Sequence, residues 1–271
     1  MSGSGPPRDP WSALGLRTPA RIAIGRAGAS LPTREVLSFA LAHARARDAV
    51  HARLDAAAMR GALELAGHRV IEVVSEAPDR ATYLRRPDLG RRLAPAERQR
   101  LADVAPSGGC DLAVMIGDGL SATAVAAHAP RVLTELVPLL AGARLSLGPV
   151  VIARGARVAL GDEVGALLGA RLVAVLIGER PGLSAADSLG IYLTFAPRPG
   201  RTDAERNCIS NVRPEGLVPV LAARSLAWLA EAALRLGATG ISLKDQSGES
   251  ALPRRTADEA IPDMDTQRLE S

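Results

Sequence analysis

Short apolar runs alternate with stretches of helical periodicity along this chain, and that alternation constrains the fold more than any other feature. It is typical of a parallel sheet whose neighbouring strands are joined by covering helices. We therefore expect an α/β fold with a parallel sheet covered by helices. The predicted strands are residues 70–75, 111–116, 149–153, 172–177, 191–196 and 240–243.

An amphipathic pattern predicts a long helix ahead of most of these strands. Val36, Leu37, Leu41 and further apolar residues recur on one helical face over residues 33–57, and Thr33 is placed to cap the helix. The other predicted helices are residues 59–66, 120–128, 132–143, 162–168 and 218–236, with short surface helices within residues 83–104.

Changes in composition divide the chain into four regions. Glycine, proline and serine dominate the start, a Pro-Ser-Gly-Gly linker marks the main boundary, and the end is polar. The regions are a flexible N-terminal segment (1–20), a mainly helical region (21–105), a sheet domain (106–245) and a polar tail expected to be disordered (246–271).

Composition also bears on partners and location. The net charge is +4, but the arginines are scattered among acids and aromatic residues make up 2% of the chain, so we expect no nucleic-acid partner. The longest apolar run, residues 172–177, is far shorter than the ~20 residues of a membrane span, and the start lacks a signal-peptide pattern. Cys110 and Cys208 form no CxxC motif and are expected to be reduced thiols. We expect a cytoplasmic protein without membrane contact.

The loop at residues 117–122 (GDGLSA) matches the dinucleotide pattern GxGxxG/A between a strand and a helix. Ligands bind beyond the carboxyl ends of strands in an open parallel sheet. With Arg154 at the end of the next strand, one interpretation is a self-contained NADP-binding oxidoreductase. The alternative is a tight strand-to-helix turn without a ligand, and we rank it higher.

Two further loops follow predicted strands. In residues 178–183 (GERPGL), Glu179 stands at a strand end, where it could contact a ligand or pair with Arg180. In residues 206–211 (RNCISN), Cys208 has no acid–base partner, and alone it is more often a small buried hydrophobe than a functional thiol. The four histidines have no metal-ligand spacing. The residues alone thus predict an α/β domain that binds a cofactor at its strand ends.

Several of these segments together carry a family resemblance. The segments are GRAG (25–28), HARARDAVH (43–51), YLRRPDLGRRL (83–93), GDGLS (117–121), IGERPGL (177–183), NCISN (207–211) and GISLK (240–244). Over residues 11–244 the chain resembles the small (light) subunit of ethanolamine ammonia-lyase.

The resemblance implies a Rossmann-like sheet domain and a lyase that is active only as a complex. The family converts ethanolamine to acetaldehyde and ammonia by a radical mechanism that uses adenosylcobalamin. Its large subunit, a TIM barrel, holds the substrate and the catalytic residues. Cobalamin lies between the two subunits, in a hetero-oligomer made of three repeats of a two-plus-two unit.

The family's cobalamin contacts map onto Val158, Glu179 and Cys208 in this sequence. The resemblance implies no catalytic residue and no metal ligand on this chain. A DxHxxG motif, which would replace the cofactor's own base by histidine, is absent. The resemblance therefore implies base-on cobalamin, in which cobalt keeps its dimethylbenzimidazole ligand. Some relatives carry a longer leader linked to bacterial microcompartments, and the short N-terminal segment here argues against that location.

Overall fold

The computed structural model describes residues 11–248, except Leu16 and Pro19. The flexible segment predicted for residues 1–20 and the tail predicted for residues 246–271 therefore lie largely outside the described residues. Within the described range, a six-stranded sheet stands between two layers of helices.

The strands are β1 (Val70–Val74), β2 (Cys110–Gly117), β3 (Leu147–Arg154), β4 (Ala170–Gly178), β5 (Leu189–Phe195) and β6 (Arg206–Val212). Their order across the sheet is β1-β3-β2-β4-β5-β6. The first four in this order are parallel, whereas β5 is antiparallel to β4 and β6 is antiparallel to β5. The predicted α/β fold is confirmed. The sheet is mostly parallel and ends in an antiparallel hairpin that the sequence analysis did not foresee.

The described α-helices are α1 (Ser12–Gly15), α2 (Thr33–His51), α3 (Ala56–Leu65), α4 (Arg80–Arg85), α5 (Pro95–Asp103), α6 (Ala122–Gly142), α7 (Leu160–Leu167) and α8 (Pro219–Leu236). The sheet has a buried apolar core on each face. Helices α6 and α8 cover one face, where Leu133 and Leu226 share a buried core with Ile116. Helices α5 and α7 cover the other, where Leu101 and Leu160 belong to the second core. The result is a three-layer α/β/α arrangement.

Helix α6 replaces the two helices predicted at residues 120–128 and 132–143. It runs through Pro130 and Pro138, each of which costs a backbone hydrogen bond. Because its apolar side is buried against the sheet and α8, packing compensates for that cost. By length and composition alone α6 could cross a membrane, but the core of this chain accounts for its apolar side.

Three other local predictions were wrong. Residues 206–211 form part of β6 rather than a loop, because a polar edge strand lacks the apolar run that marks a buried one. Residues 240–243 are not a strand, since Gly240 has φ +76° and starts a 3₁₀ turn, Gly240–Ser242. Helix α2 begins at Thr33 with Pro32 in the N-cap position and no side-chain cap.

The predicted boundary at residue 106 does not divide the sheet. Strand β1 precedes that boundary and pairs with β3 along its length, Val70 with Val150 through Val74 with Arg154. The mainly helical region before residue 106 therefore supplies one edge of the sheet. The four predicted regions remain predictions.

Candidate functional site

A pocket lies where the carboxyl ends of the parallel strands meet, on the α7 side of the sheet. Its volume is about 410 Å³. The loops that follow β2, β3 and β4 form most of its wall, as expected for a ligand site in a mostly parallel sheet. We call it the strand-tip pocket; it is lined by Tyr83, Gly119, Leu120, Arg157, Val158, Ile177, Gly178, Glu179, Arg180 and Tyr192.

The three predicted cofactor contacts lie at or beside this pocket. Val158 and Glu179 line it. Cys208 pairs across the β5–β6 hairpin with Tyr192, which also lines it. The fold thus brings together residues that lie 50 positions apart along the chain. No cluster of His, Cys, Asp and Glu in the described part of the chain could hold a metal ion.

Glu179 is half-buried and hydrogen-bonds within the chain. Its Oε2 accepts the hydroxyl of Ser188 and the backbone N–H of Asn211, the latter at 3.2 Å. Its Oε1 accepts no hydrogen bond from the described residues. None of the described ion pairs joins Glu179 to Arg180, so the predicted alternative of a surface pair is not what forms. One carboxylate oxygen therefore holds the hairpin, and the other can accept from a ligand.

Cys208 is exposed on the edge strand, which contradicts the interpretation of a buried hydrophobe. Its side chain and that of Tyr192 lie on the same face of the sheet, because directly paired residues share a face. Desolvation by the surrounding protein raises the pKa of the Cys208 thiol, so the thiol stays protonated at neutral pH. A protonated thiol is a packing surface rather than a nucleophile.

Val158 stands in the turn between β3 and α7. Its side chain is half-buried and packs against the core beneath α7. The turn is fixed by two backbone bonds, from Arg157 N–H to the carbonyl of Gly90 (2.8 Å) and from Gly161 N–H to the carbonyl of Val158 (3.0 Å). Val158 therefore presents an apolar surface to the pocket from a rigid turn.

Asp118, which the sequence analysis treated only as a loop residue, joins two walls of the pocket. Its carboxylate accepts the backbone N–H groups of Gly155 (3.1 Å) and Ala156 (3.0 Å) and lies 3.7 Å from the Arg80 guanidinium. Burial raises the pKa of Asp118 above its ordinary value. The hydrogen bonds from Gly155 and Ala156 offset only part of that rise. A short polar residue between two glycines was the available signal, because such loops often fold around an Asx side chain.

Two guanidinium groups lie against the ring of Tyr83, which lines the pocket. The Cζ atoms of Arg80 and Arg157 are 4.8 Å and 4.3 Å from its ring centre, and its hydroxyl donates to the carbonyl of Ala156 (3.0 Å). Burial raises the pKa of Tyr83 to about 12. The stack fixes α4 against the turn that carries Val158.

A buried ion pair anchors the strand that carries Cys208. Arg206 donates two hydrogen bonds to Asp162 on α7, at 2.6 and 2.7 Å, and a third to Thr194. Arg206 and Cys208 are two residues apart on β6 and share a face of the sheet. The pair therefore holds this face of the edge strand against α7.

The geometry of residues 117–122 favours a tight turn over a dinucleotide site. A Cβ on Gly119 would lie 2.4 Å from the carbonyl oxygen of Gly178, so glycine is required for packing against β4. Ser121 already caps α6 by accepting the N–H of Ala124 at 3.3 Å. The Asp118 carboxylate accepts the backbone N–H of Gly155, and the Arg154 side chain is exposed.

Comparisons with known proteins identify the family of this chain. A family model described as "Ethanolamine ammonia-lyase light chain (EutC)" matches residues 8–244. Three relatives are each named "Ethanolamine ammonia-lyase small subunit". The one from Bradyrhizobium diazoefficiens is 57% identical over 94% of this chain and 97% of its own length. That from Rhodopseudomonas palustris is 58% identical over 85% and 88%, and that from Xanthomonas campestris pv. campestris is 53% identical over 95% of each. The chain therefore belongs to the ethanolamine ammonia-lyase small-subunit family.

Proposed function

We propose that this chain forms one wall of a base-on adenosylcobalamin site, closed on its far side by the large subunit of an ethanolamine ammonia-lyase. The observation that carries the proposal is that Val158 and Glu179 line one pocket and that Cys208 pairs with Tyr192 at the side of the same pocket. The chain contributes to lyase activity as a subunit, and the large subunit carries the catalytic residues.

The residues of the strand-tip pocket suit a corrin, a broad ring with an apolar face and a rim of amides. Val158, Leu120 and Ile177 offer apolar contact, and Oε1 of Glu179 can accept a hydrogen bond from a rim amide. A pocket of about 410 Å³ is too small to enclose cobalamin with its nucleotide. The remaining surface of the cofactor is thus left for a second polypeptide, in keeping with a small subunit.

When bound, the cofactor would supply radical chemistry. The part of this chain is to bind, orient and exclude water. Val158 and Cys208 provide packing surface, and Glu179 holds a rim amide while keeping the hairpin in place through Ser188 and Asn211.

The distribution of histidines supports the base-on mode. None of the four histidines lines the strand-tip pocket. His43 and His51 are exposed on α2, and His128 is buried in α6.

Reconstitution tests the proposal. The chain is mixed with a family large subunit and adenosylcobalamin, and acetaldehyde formed from ethanolamine is measured. We expect turnover only when both polypeptides and the cofactor are present, in a hetero-oligomer whose mass fits three repeats of a two-plus-two unit. Absence of acetaldehyde from a folded, cofactor-loaded mixture would contradict the proposal.

Electron paramagnetic resonance of the cob(II)alamin state tests the base-on mode. With ¹⁵N-labelled polypeptides and unlabelled cofactor, the axial nitrogen should give the splitting of ¹⁴N. A ¹⁵N splitting would place a protein nitrogen on cobalt and overturn that part of the proposal.

A further inference from the structure

Helix α2 turns its large apolar side chains toward solvent. Of its 19 residues only Ala49 is buried, and Ala42 and Ala46, on the same side, are half-buried. On the outward side, Leu37 is 63% exposed, and Leu41, 52% exposed, lies at the rim of a groove between α2 and residues 183–187. A surface helix of a self-contained domain normally buries its apolar stripe, so this orientation is the reverse of the expected one.

The exposed apolar area continues beyond the helix. Ile22 and Leu31, in the segment before α2, are also exposed, as are Val36 and Phe39. The Arg21 guanidinium lies 5.6 Å from the centre of the Phe39 ring, which holds the preceding segment beside the helix. We call this area the α2 apolar surface; it consists of Ile22, Leu31, Val36, Leu37, Phe39 and Leu41. Groups of exposed large apolar side chains on one segment favour an interaction site.

The α2 apolar surface is tied to the strand-tip pocket through Arg80. The Arg80 guanidinium donates from Nε (2.8 Å) and Nη2 (2.6 Å) to the carbonyl of Val50, in the last turn of α2. Its Nη1 donates to the carbonyl of Gly119 (2.7 Å), which lines the pocket. The end of α2 is therefore fixed to a loop of the proposed cofactor wall, beside the side that the large subunit would close.

We propose that the α2 apolar surface is a docking site for the large subunit, continuous with the shared cofactor site. This inference rests on the proposed function, because that function supplies the partner. An apolar centre with an aromatic residue is the composition of a subunit interface core. A second copy of this chain is the competing occupant.

Leu37→Glu/Leu41→Glu is the test variant, and Leu65→Glu/Leu236→Glu is the matched control. All four leucines are exposed helix residues, so neither variant should lower the melting temperature of the isolated chain. The affinity of each chain for the large subunit is measured by biolayer interferometry without substrate. We expect the test variant to bind about tenfold more weakly or worse, and the control to bind like wild type. Excess large subunit should restore ethanolamine turnover by the test variant, since the pocket is unchanged.

Three results would overturn the inference. Wild-type affinity in Leu37→Glu/Leu41→Glu would show that the surface lies outside the interface. Equal weakening in the control would show a nonspecific charge effect. A wild-type homodimer in light scattering that the test variant abolishes, with large-subunit binding retained, would assign the surface to a second copy. If wild-type subunits give no acetaldehyde, the proposed function fails. If they do, and the test variant still binds normally, only this inference fails.

Discussion

The two carboxylate oxygens of Glu179 have different surroundings. Oε2 accepts from Ser188 and Asn211, and Oε1 has no partner among the described residues. The residue type and its place after a strand were predictable from GERPGL, because a polar side chain at a strand tip faces the ligand crevice. Its two partners were not, since Asn211 belongs to a strand that was predicted as a loop.

Replacing Glu179 by Ala should weaken cobalamin binding in the two-subunit complex by ~1–3 kcal/mol, the range for a buried amide that loses its acceptor. Cys208→Ser should have a smaller effect, because the thiol of Cys208 is a packing surface. Absorbance titration with cobalamin measures both affinities. Glu231→Ala is the control, because Glu231 lies on α8 and does not line the pocket. Unchanged affinity in Glu179→Ala would make Glu179 peripheral to the site.

Secondary-structure elements could be predicted where burial dominated. The apolar runs of β2, β3 and β4 identified central strands because both faces of the sheet are covered. Strand β6 could not be identified, since Ile209 is the only large apolar residue in its middle and its edge position tolerates polar side chains. The sequence analysis predicted two helices separated between residues 128 and 132. A single helix α6 runs through Pro130 instead, because its packing outweighs one missing hydrogen bond.

Packing of α4 on the β3–α7 turn can be followed through Tyr83. Burial raises the pKa of its phenol to about 12. Between the unfolded pKa, near 10, and that value, the folded chain retains a proton that the unfolded chain releases. The free energy of unfolding therefore falls as pH rises through this window. Tyr83→Phe should remove this part of the pH dependence.

The chain has only two tyrosines, so phenolate absorbance can resolve Tyr83. The difference between the titrations of wild type and Tyr83→Phe should have its midpoint near pH 12. Tyr83→Phe should also lower the unfolding free energy at pH 7 by ~1 kcal/mol, because the bond to the Ala156 carbonyl is lost. A midpoint near 10 would mean that the phenol is in solvent and that the stack with Arg80 and Arg157 does not persist.

At the scale of the whole molecule, α2 and the pocket share one attachment point. The helix buries little against the body, and Arg80 bridges its last turn to Gly119. The periodicity of residues 33–57 predicted the helix, but it could not reveal that the apolar stripe faces outward. The sequence of one chain shows the same apolar stripe whether the stripe is covered by the chain itself or by a partner.

This attachment predicts that Arg80→Lys loosens both regions together. A single ammonium on a flexible stem cannot reproduce the planar fork that reaches Val50 and Gly119 at once. In the isolated chain, amide hydrogen exchange should speed up both in residues 45–51 and in residues 117–121, because local opening of each segment becomes easier. Arg47→Lys, an exposed arginine on the same helix, should leave both unchanged. Faster exchange in α2 alone would mean that the pocket loop is held independently of α2, by Asp118 and its bonds to Gly155 and Ala156. Faster exchange in both segments would show that the end of α2 and the wall of the pocket move as one unit.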